Sequence, residues 1–146
     1  MTKKLLVFHQ LQVAHSALFR AADQRSRNEL GLTSAQLSVL IVLSRTDGLP
    51  ISSIAKALAM GKSSLTGLID RMCEKGLVRR EASAQDGRII HIHIESSGRQ
   101  AAQQGIGQTQ QYNHELLAPF SIEEQKTIQR FLQHLSENAD SIINKP

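Results

Sequence analysis

The chain has 146 residues, and its 17 Lys and Arg against 13 Asp and Glu give a formal net charge of +4. Hydrophobic residues make up 40% of the chain and charged residues 21%, which is the balance of a globular domain and excludes wholesale disorder. Cys73 is the one cysteine, so a disulfide framework and a cysteine-rich zinc site are excluded. No apolar run approaches the roughly 18 residues of a membrane span. We therefore expect one domain over residues 1–146, cytoplasmic and without a membrane partner.

The positive charge is unevenly distributed along the chain. Nine basic residues stand against six acidic ones between Arg45 and Arg99, whereas residues 100–146 hold three basic and five acidic residues. Aromatic residues make up only 3% of the chain, too few for a surface that stacks single-stranded bases. If the partner is a nucleic acid, a duplex is the expected form.

Hydrophobic periodicity predicts two helices at the start of the chain. Apolar residues recur at helical spacing from Leu5 to Leu30, which indicates an amphipathic helix. The segment Thr33–Gln36 then has the sequence of a capping box and predicts a second helix, largely apolar and central. Asp47-Gly48 followed by Pro50 is predicted to end it.

Two shorter helices are predicted next, with Ser52 or Ser53 as the cap of the first. The second is predicted to run from Lys62 to Lys75 and to stop at Gly76, a residue type favoured just after a helix. About three residues separate the two helices, which is typical of a helix-turn-helix.

The periodicity then changes from that of a helix to that of a hairpin, which we call the wing. Leu77–Glu81 is predicted to be extended, and Arg88–Ile94 alternates with Ile90, Ile92 and Ile94 on one face. Asp86-Gly87 predicts a tight turn between the strands.

The rest of the chain is predicted to be helical. Ser96 opens a long polar helix, Pro119 breaks the chain, and Ser121–Glu124 is a second capping box that opens the last helix. The predicted fold class is mostly α with a small β-hairpin, in the order α-α-α-α-β-β-α-α.

The helix predicted from Lys62 has a polar face suited to duplex DNA. Its exposed first half is small, polar and basic, whereas the acidic Asp70 and Glu74 come later. A helix that enters the major groove by its N-terminus needs this gradient, because its first N–H groups and its dipole favour phosphate. The alternative is an ordinary solvated face. The candidate DNA-binding residues on this helix are Lys62, Ser63, Ser64, Thr66 and Arg71.

The wing adds further cations directly after the helix-turn-helix. Arg79 and Arg80 on one strand and Arg88 at the turn are predicted to project from it, and a narrow wing can lay arginine along the minor groove. Asp86 is predicted to hold the guanidinium of Arg88 and to fix its direction. A merely solubilising hairpin is the alternative.

The segment SSIAKALAMGKSSLTGLIDRMCEKGLVRREASAQDGRIIHIHI resembles the winged helix-turn-helix of the MarR family of bacterial transcription regulators. LTSAQLSVLIVL before it is similar to the family's preceding helix, and ESSGRQ to the start of the helix after the wing. The resemblance implies a DNA-binding lobe at 33–96 and dimerisation helices at 1–30 and 97–146.

The resemblance also implies a function. It implies a homodimer that binds a pseudo-palindromic operator, with Arg88 entering the minor groove and Asp86 as its orienting partner. It further implies release of DNA by a small aromatic or phenolic effector, bound near the first helix and the helix from Thr33 to Ser44. No other cofactor and no metal are expected.

Two positions depart from the family pattern. Gly61 stands where a Ser-like N-cap is usual, and Gly67 stands where many members carry arginine or another long polar residue. We therefore expect base preference to be modest, or to be carried by Ser63, Ser64 and Thr66 and by DNA shape.

Two alternatives remain open at this point. One is a winged-helix dimer that acts through protein contacts. Another is a regulator that responds to metal through His91 and His93, which share a strand face, or to oxidants through Cys73, although a partly buried structural cysteine is favoured. An enzyme is not expected, because the chain has no phosphate-binding glycine loop, nucleophile elbow or metal-binding His/Glu motif.

Overall fold

The structure, a computed structural model, describes residues 4–146, so the first three residues of the predicted segment 1–30 lie outside it. Six helices and three strands occur in the described range. They are α1 (Val7–Leu30), α2 (Ser34–Arg45), β1 (Leu49–Pro50), α3 (Ile51–Leu58), α4 (Lys62–Glu74), β2 (Val78–Ala82), β3 (Ile90–Ile94), α5 (Ser96–Leu117) and α6 (Ile122–Ile143). The mostly α fold with a β-hairpin after a helix-turn-helix is confirmed. The chain forms two compact units, one up to Ile106 and one from Gly107.

Helix α2 supplies the centre of the first unit. The predicted capping box is present: the N–H of Gln36 donates to Thr33 Oγ1 at 3.0 Å, and Gln36 Oε1 accepts the N–H of Thr33 at 3.0 Å. Three side chains of α2 are completely buried, namely Val39, Leu40 and Leu43. They pack in one cluster with side chains from α3, α4, the sheet and α5, chiefly Ile54, Leu65, Ile69, Met72, Val78, Ile92, Ile94 and Ala102.

Helix α1 is tied to α2 by a polar contact that the sequence did not reveal. Asp23 Oδ1 accepts the N–H of Ser34 at 2.9 Å, and Asp23 Oδ2 accepts from Arg27 Nε at 2.7 Å. These hydrogen bonds hold the pKa of the Asp23 carboxyl below its usual value, and the bond from the Ser34 N–H has the largest effect. The carboxylate thereby lies at the N-terminus of α2, where a negative charge is favourable.

The sheet has a third strand that was not predicted. Leu49 pairs with Ile92 and Pro50 with His91, so the strand order is β1-β3-β2, with all pairs antiparallel. A strand of two residues that contains proline has no period-two pattern, so the sequence carries no signal for it. Because β1 leads directly into α3, Pro50 takes the N-cap position, and the predicted cap at Ser52 or Ser53 is wrong.

The predicted tight turn at Asp86-Gly87 is also wrong. Strands β2 and β3 are joined by residues 83–89, and Gly87 does not have the positive φ that a two-residue hairpin turn demands. Instead, Asp86 Oδ1 accepts the N–H of Arg88 at 3.1 Å, and the Asp86 carbonyl accepts the N–H of Ile89 at 3.0 Å. Asp86 thus builds the turn with its side chain, as Asp commonly does in loops.

The second unit presents apolar side chains to solvent. The predicted capping box opens α6: Ser121 Oγ accepts the N–H of Glu124 at 3.2 Å, and Glu124 Oε2 accepts the N–H of Ser121 at 2.8 Å. Within residues 4–146, α6 has no buried residue. The large apolar side chains exposed in this unit are Leu116, Phe120, Ile122, Phe131, Leu132, Ile142 and Ile143.

Two glycines of α5 provide a test of the packing. A Cβ on Gly98 would collide with the Leu77 carbonyl oxygen and lie 3.0 Å from side-chain atoms of Leu40 and Ile94, whereas a Cβ on Gly107 would meet nothing within 4 Å. We expect Gly98→Ala to lower the free energy of unfolding by about 1–3 kcal/mol through overpacking. The matched control Gly107→Ala should raise it by up to about 1 kcal/mol, because alanine favours the helix. Urea unfolding measures both; equal effects of the two substitutions would contradict the packing described.

Candidate nucleic-acid interface

The turn between α3 and α4 fixes the start of α4. Ala59 closes α3 with a positive φ of 52°, and the N–H of Met60 donates to the Ala55 carbonyl at 3.0 Å. The predicted inner face of α4 is confirmed, since its four apolar side chains are buried: Leu65, Leu68, Ile69 and Met72. The polar side of the helix therefore faces solvent.

The N-terminus of α4 has no side-chain cap within the described part of the chain. Gly61 occupies the N-cap position and offers no side-chain acceptor for the first N–H groups. Lys62, Ser63 and Ser64 in the first turn are all exposed. Free N–H groups, the helix dipole and a lysine together make this end attractive to a phosphate.

Thr66 is exposed but its hydroxyl hydrogen is already engaged. Thr66 Oγ1 donates to the Lys62 carbonyl at 2.8 Å, a bond within the helix. Towards an outside partner Thr66 therefore offers its methyl group and hydroxyl lone pairs.

Arg80 links the wing to α4. Its Nη2 lies 2.5 Å from Asp70 Oδ1, and its Nη1 lies 3.7 Å from the sulfur of Cys73, which is partly buried as predicted. This pair places a cation beside the acidic residue on the exposed side of α4. The positive charge of Arg80 is thus neutralised by a carboxylate of the protein itself.

Arg79 is compensated on the other face of the wing. Its Nη1 lies 3.2 Å from Glu95 Oε1, and its Nη2 lies 3.3 Å from Glu81 Oε2. The hydrogen bond to Glu95 in particular raises the pKa of Arg79 above its usual value. Arg79 and Arg80 are thus exposed, in agreement with the prediction that the wing arginines project, but carboxylates of the protein itself pair with both of them.

Arg88 does project from the wing. Its side chain is 95% exposed, and the carboxylate near it is that of Asp86, 3.8 Å from its Nε. The predicted ion pair between the Arg88 and Asp86 side chains is thus present, but the distance between its nitrogen and oxygen atoms is long. The shorter contact is the hydrogen bond from the Arg88 backbone N–H to Asp86, so Asp86 positions Arg88 through the main chain.

Arg71 on α4 is also an uncompensated cation. It is exposed, and the structure of residues 4–146 gives it no ion pair or hydrogen bond. The five predicted site cations therefore fall into two groups. Lys62, Arg71 and Arg88 are free to meet an outside partner, whereas Arg79 and Arg80 are held by carboxylates.

A polar network that sequence reasoning missed supports the base of the wing. Asp47 Oδ1 accepts the N–H of Ile94 at 2.8 Å, while Asp47 Oδ2 lies 3.6 Å from both Arg99 Nη2 and His93 Nδ1. Burial raises the pKa of the Asp47 carboxyl, but hydrogen bonds from the N–H groups of Ile94 and Gly48 and the nearby cations outweigh it and hold the pKa below its usual value. The sequence showed only a helix-ending Asp-Gly pair here.

His93 of the wing lies between two acidic side chains. Its Nε2 lies 3.6 Å from Glu81 Oε2, and its Nδ1 faces Asp47. Among residues 4–146 no group of three or more His, Cys, Asp and Glu side chains is arranged to hold a metal ion.

No described helix is long and apolar enough to cross a membrane.

Comparison with known proteins places this geometry in a family. The sequence model of the MarR family matches residues 30–89. The transcriptional regulator HosA of Escherichia coli O157:H7 is 30% identical over 127 residues, which is 86% of this chain and 91% of HosA. The transcriptional repressor MdtR of Bacillus subtilis is 31% identical over 91 residues, which span 60% of this chain but only 59% of MdtR.

The fold is also found among solved structures. The complex of Staphylococcus aureus MepR with DNA superposes with a TM-score of 0.85 at 22% identity, covering 93% of this chain and 99% of the MepR chain. From the family match, the identity to HosA over nearly its full length and the winged helix-turn-helix, we conclude that the chain belongs to the MarR family of DNA-binding transcription regulators.

Proposed function

We propose that the protein is a repressor that binds a pseudo-palindromic operator as a homodimer in the cytoplasm and releases it when a small molecule binds. The observation that carries the proposal is the set of uncompensated groups on the first unit. Among residues 4–146 the side chains of Lys62 and Arg71 have no ion pair or hydrogen bond, and the N-terminus of α4 has no side-chain cap. Within the same range, the side chain of Arg88 has only its long contact with Asp86, at 3.8 Å from its Nε.

Each of these groups has a definite role in the proposed complex. The first turn of α4 enters the major groove, where its N–H groups and Lys62 meet phosphate and the hydroxyls of Ser63, Ser64 and Thr66 meet base edges. The wing places Arg88 in the minor groove, where the electrostatic potential is most negative. Arg79 and Arg80 act indirectly, since their ion pairs hold the wing in shape.

The homodimer is supported by apolar side chains that the chain leaves in solvent. Phe8 in α1 is 79% exposed and Ile143 at the end of α6 is 61% exposed. A groove of about 640 Å³ lies along the end of α5 and α6, lined partly by the apolar Leu117, Ile122 and Leu132. Large apolar side chains left in solvent in this way fit an interface between two copies of the chain. A twofold dimer presents two α4 helices to half-sites about 34 Å apart.

The effector is proposed to be a small aromatic or phenolic anion. The support is the family membership, and α1 and α2 are the proposed walls of its site. A panel of phenolic carboxylates added to the DNA complex tests this, with release of DNA by at least one member expected. Retention of DNA with every member would remove this effector class from the proposal.

DNA binding by the dimer has a measurable salt dependence. Lys62 and Arg88 of two subunits neutralise four phosphates, so log K should fall against log salt with a slope of about −3.6. Between 50 and 200 mM salt this is a loss of about 100-fold in affinity. A gel shift on the intergenic DNA beside the protein's own gene measures it, and sedimentation reports two 16.1 kDa chains per duplex. Absence of a shift at low salt, or affinity indifferent to salt, would favour the alternative in which the dimer acts through protein contacts.

The turn of the wing provides a second test, in which charge and geometry act in opposite directions. Asp86→Ala removes an acidic group near DNA but also the acceptor of the Arg88 N–H, so we expect affinity to fall by about 2- to 10-fold, the effect of one hydrogen bond. Asp86→Asn keeps an acceptor oxygen and removes only the charge, so its affinity should equal or exceed that of the unmodified protein. Fluorescence anisotropy with a labelled operator duplex distinguishes them. Tighter binding by Asp86→Ala would show that Asp86 acts only as a repelling charge.

A further inference from the structure

Gly67 leaves an opening on the exposed side of α4. At about 100° per residue, Gly67 lies about 200° around the helix from the buried Leu65, and so nearly opposite the core. Apart from the adjacent residues and the backbone of the helix itself, a Cβ built on Gly67 has one neighbouring atom within 4 Å, which is Nη1 of Arg71 at 3.7 Å. The guanidinium of Arg71 thus lies against the position where a side chain of residue 67 would begin.

The helix geometry explains how Arg71 reaches this position. Arg71 is one turn after Gly67, and helical side chains lean towards the N-terminus, over the preceding turn. Neither of its acidic neighbours on α4 takes up its charge. Asp70 is paired with Arg80, and the structure of the described residues gives Glu74 no contact with Arg71.

Arg71 also carries a longer hydrogen-bond donor than the hydroxyl residues of this polar side. Its neighbours towards the N-terminus, Ser63 and Ser64, carry one short hydroxyl each, and the hydroxyl hydrogen of Thr66 is bound to the Lys62 carbonyl. A guanidinium on the side opposite the core, above a residue without a side chain, can approach base edges that short hydroxyls do not reach.

We propose that Arg71 determines base specificity by binding a guanine in the major groove through the opening at Gly67. A guanidinium forms a bidentate pair with guanine O6 and N7, and this pair discriminates against other bases. Residue 67 controls the contact because a side chain longer than that of alanine would occupy the space of the Arg71 guanidinium. The inference rests on the proposed DNA-binding function and adds to it the residue and the base. The guanine contact is additional to the base-edge contacts proposed for Ser63, Ser64 and Thr66.

The first step of the test is to let the protein select duplexes from a randomised pool. Its affinity is then measured for pairs of duplexes that differ at one selected G·C pair in each half-site. Arg71→Lys keeps the charge but loses the bidentate geometry. We expect its preference for the G·C pair to drop about 5- to 150-fold, with an unchanged salt dependence.

Two substitutions at residue 67 distinguish an effect on the contact between Arg71 and guanine from an effect on the stability of α4. Gly67→Ala adds a methyl group at an ordinary van der Waals distance from Arg71, so the base preference should be retained. Gly67→Gln fills the opening, displaces the guanidinium and should lose the preference. Thermal unfolding and circular dichroism check that both variants fold, so that a loss of preference reflects the contact.

Each outcome has a distinct meaning. An unchanged base preference in Arg71→Lys, with tight binding to the selected duplexes, would overturn the inference and leave the proposed function standing. An unchanged preference in folded Gly67→Gln would overturn the role of the opening. Failure of the unmodified protein to bind any duplex would overturn the proposed function and this inference with it.

Discussion

The burial of the inner face of α4 against α2 is the constraint on which the interface depends. Leu65, Ile69 and Met72 of α4 are completely buried, as are the core residues of α2. At roughly 25 cal/mol per Å² of apolar surface removed from water, this packing is strong enough to fix which side of α4 faces outwards. The polar residues of α4 owe their exposure to this burial rather than to any interaction of their own.

Ion pairing then decides which cations remain available on the exposed surface. The chain carries an excess of positive charge, but Asp70, Glu81 and Glu95 hold Arg80 and Arg79 in place. Such exposed pairs contribute little to stability, typically less than about 1 kcal/mol each. Their consequence here is geometric, because the Arg80–Asp70 pair joins the wing to α4 and, among the described arginines of α4 and the wing, Arg71 and Arg88 are left without strong partners.

Most of the fold could be predicted from the sequence because its signals are local. The two capping boxes, the helix-ending Gly76 and the buried face of α4 depend on residues within one or two turns of each other. Strand β1 could not be predicted, since a strand of two residues shows no alternating pattern. The Asp86-Gly87 pair resembles a common hairpin signal, but the backbone there does not adopt the tight turn that the signal predicts. Local patterns describe helices better than they describe edges and loops.

The composition of the interface could be predicted from the sequence, but its electrostatics could not. The resemblance singled out Arg88 as the minor-groove arginine, but nothing in the sequence separated Arg71 from Arg79 and Arg80. Their separation depends on contacts between residues distant in sequence, such as Asp70 with Arg80, ten positions apart, and on the path of the chain that brings Glu95 beside Arg79. Such contacts leave no pattern in one sequence, because any carboxylate could serve as the partner.

In the proposed complex, internal ion pairs separate the wing arginine that contacts DNA, Arg88, from the two that shape the wing, Arg79 and Arg80. The salt dependence of binding to one duplex tests this separation when the unmodified protein is compared with Arg88→Gln, Arg79→Gln and Arg80→Gln. We expect Arg88→Gln to lower the magnitude of the slope by about 1.8 for a dimer, which is one phosphate contact per subunit, and the other two substitutions to leave the slope unchanged. Equal reductions in all three variants, or a reduction only in Arg79→Gln and Arg80→Gln, would contradict this separation.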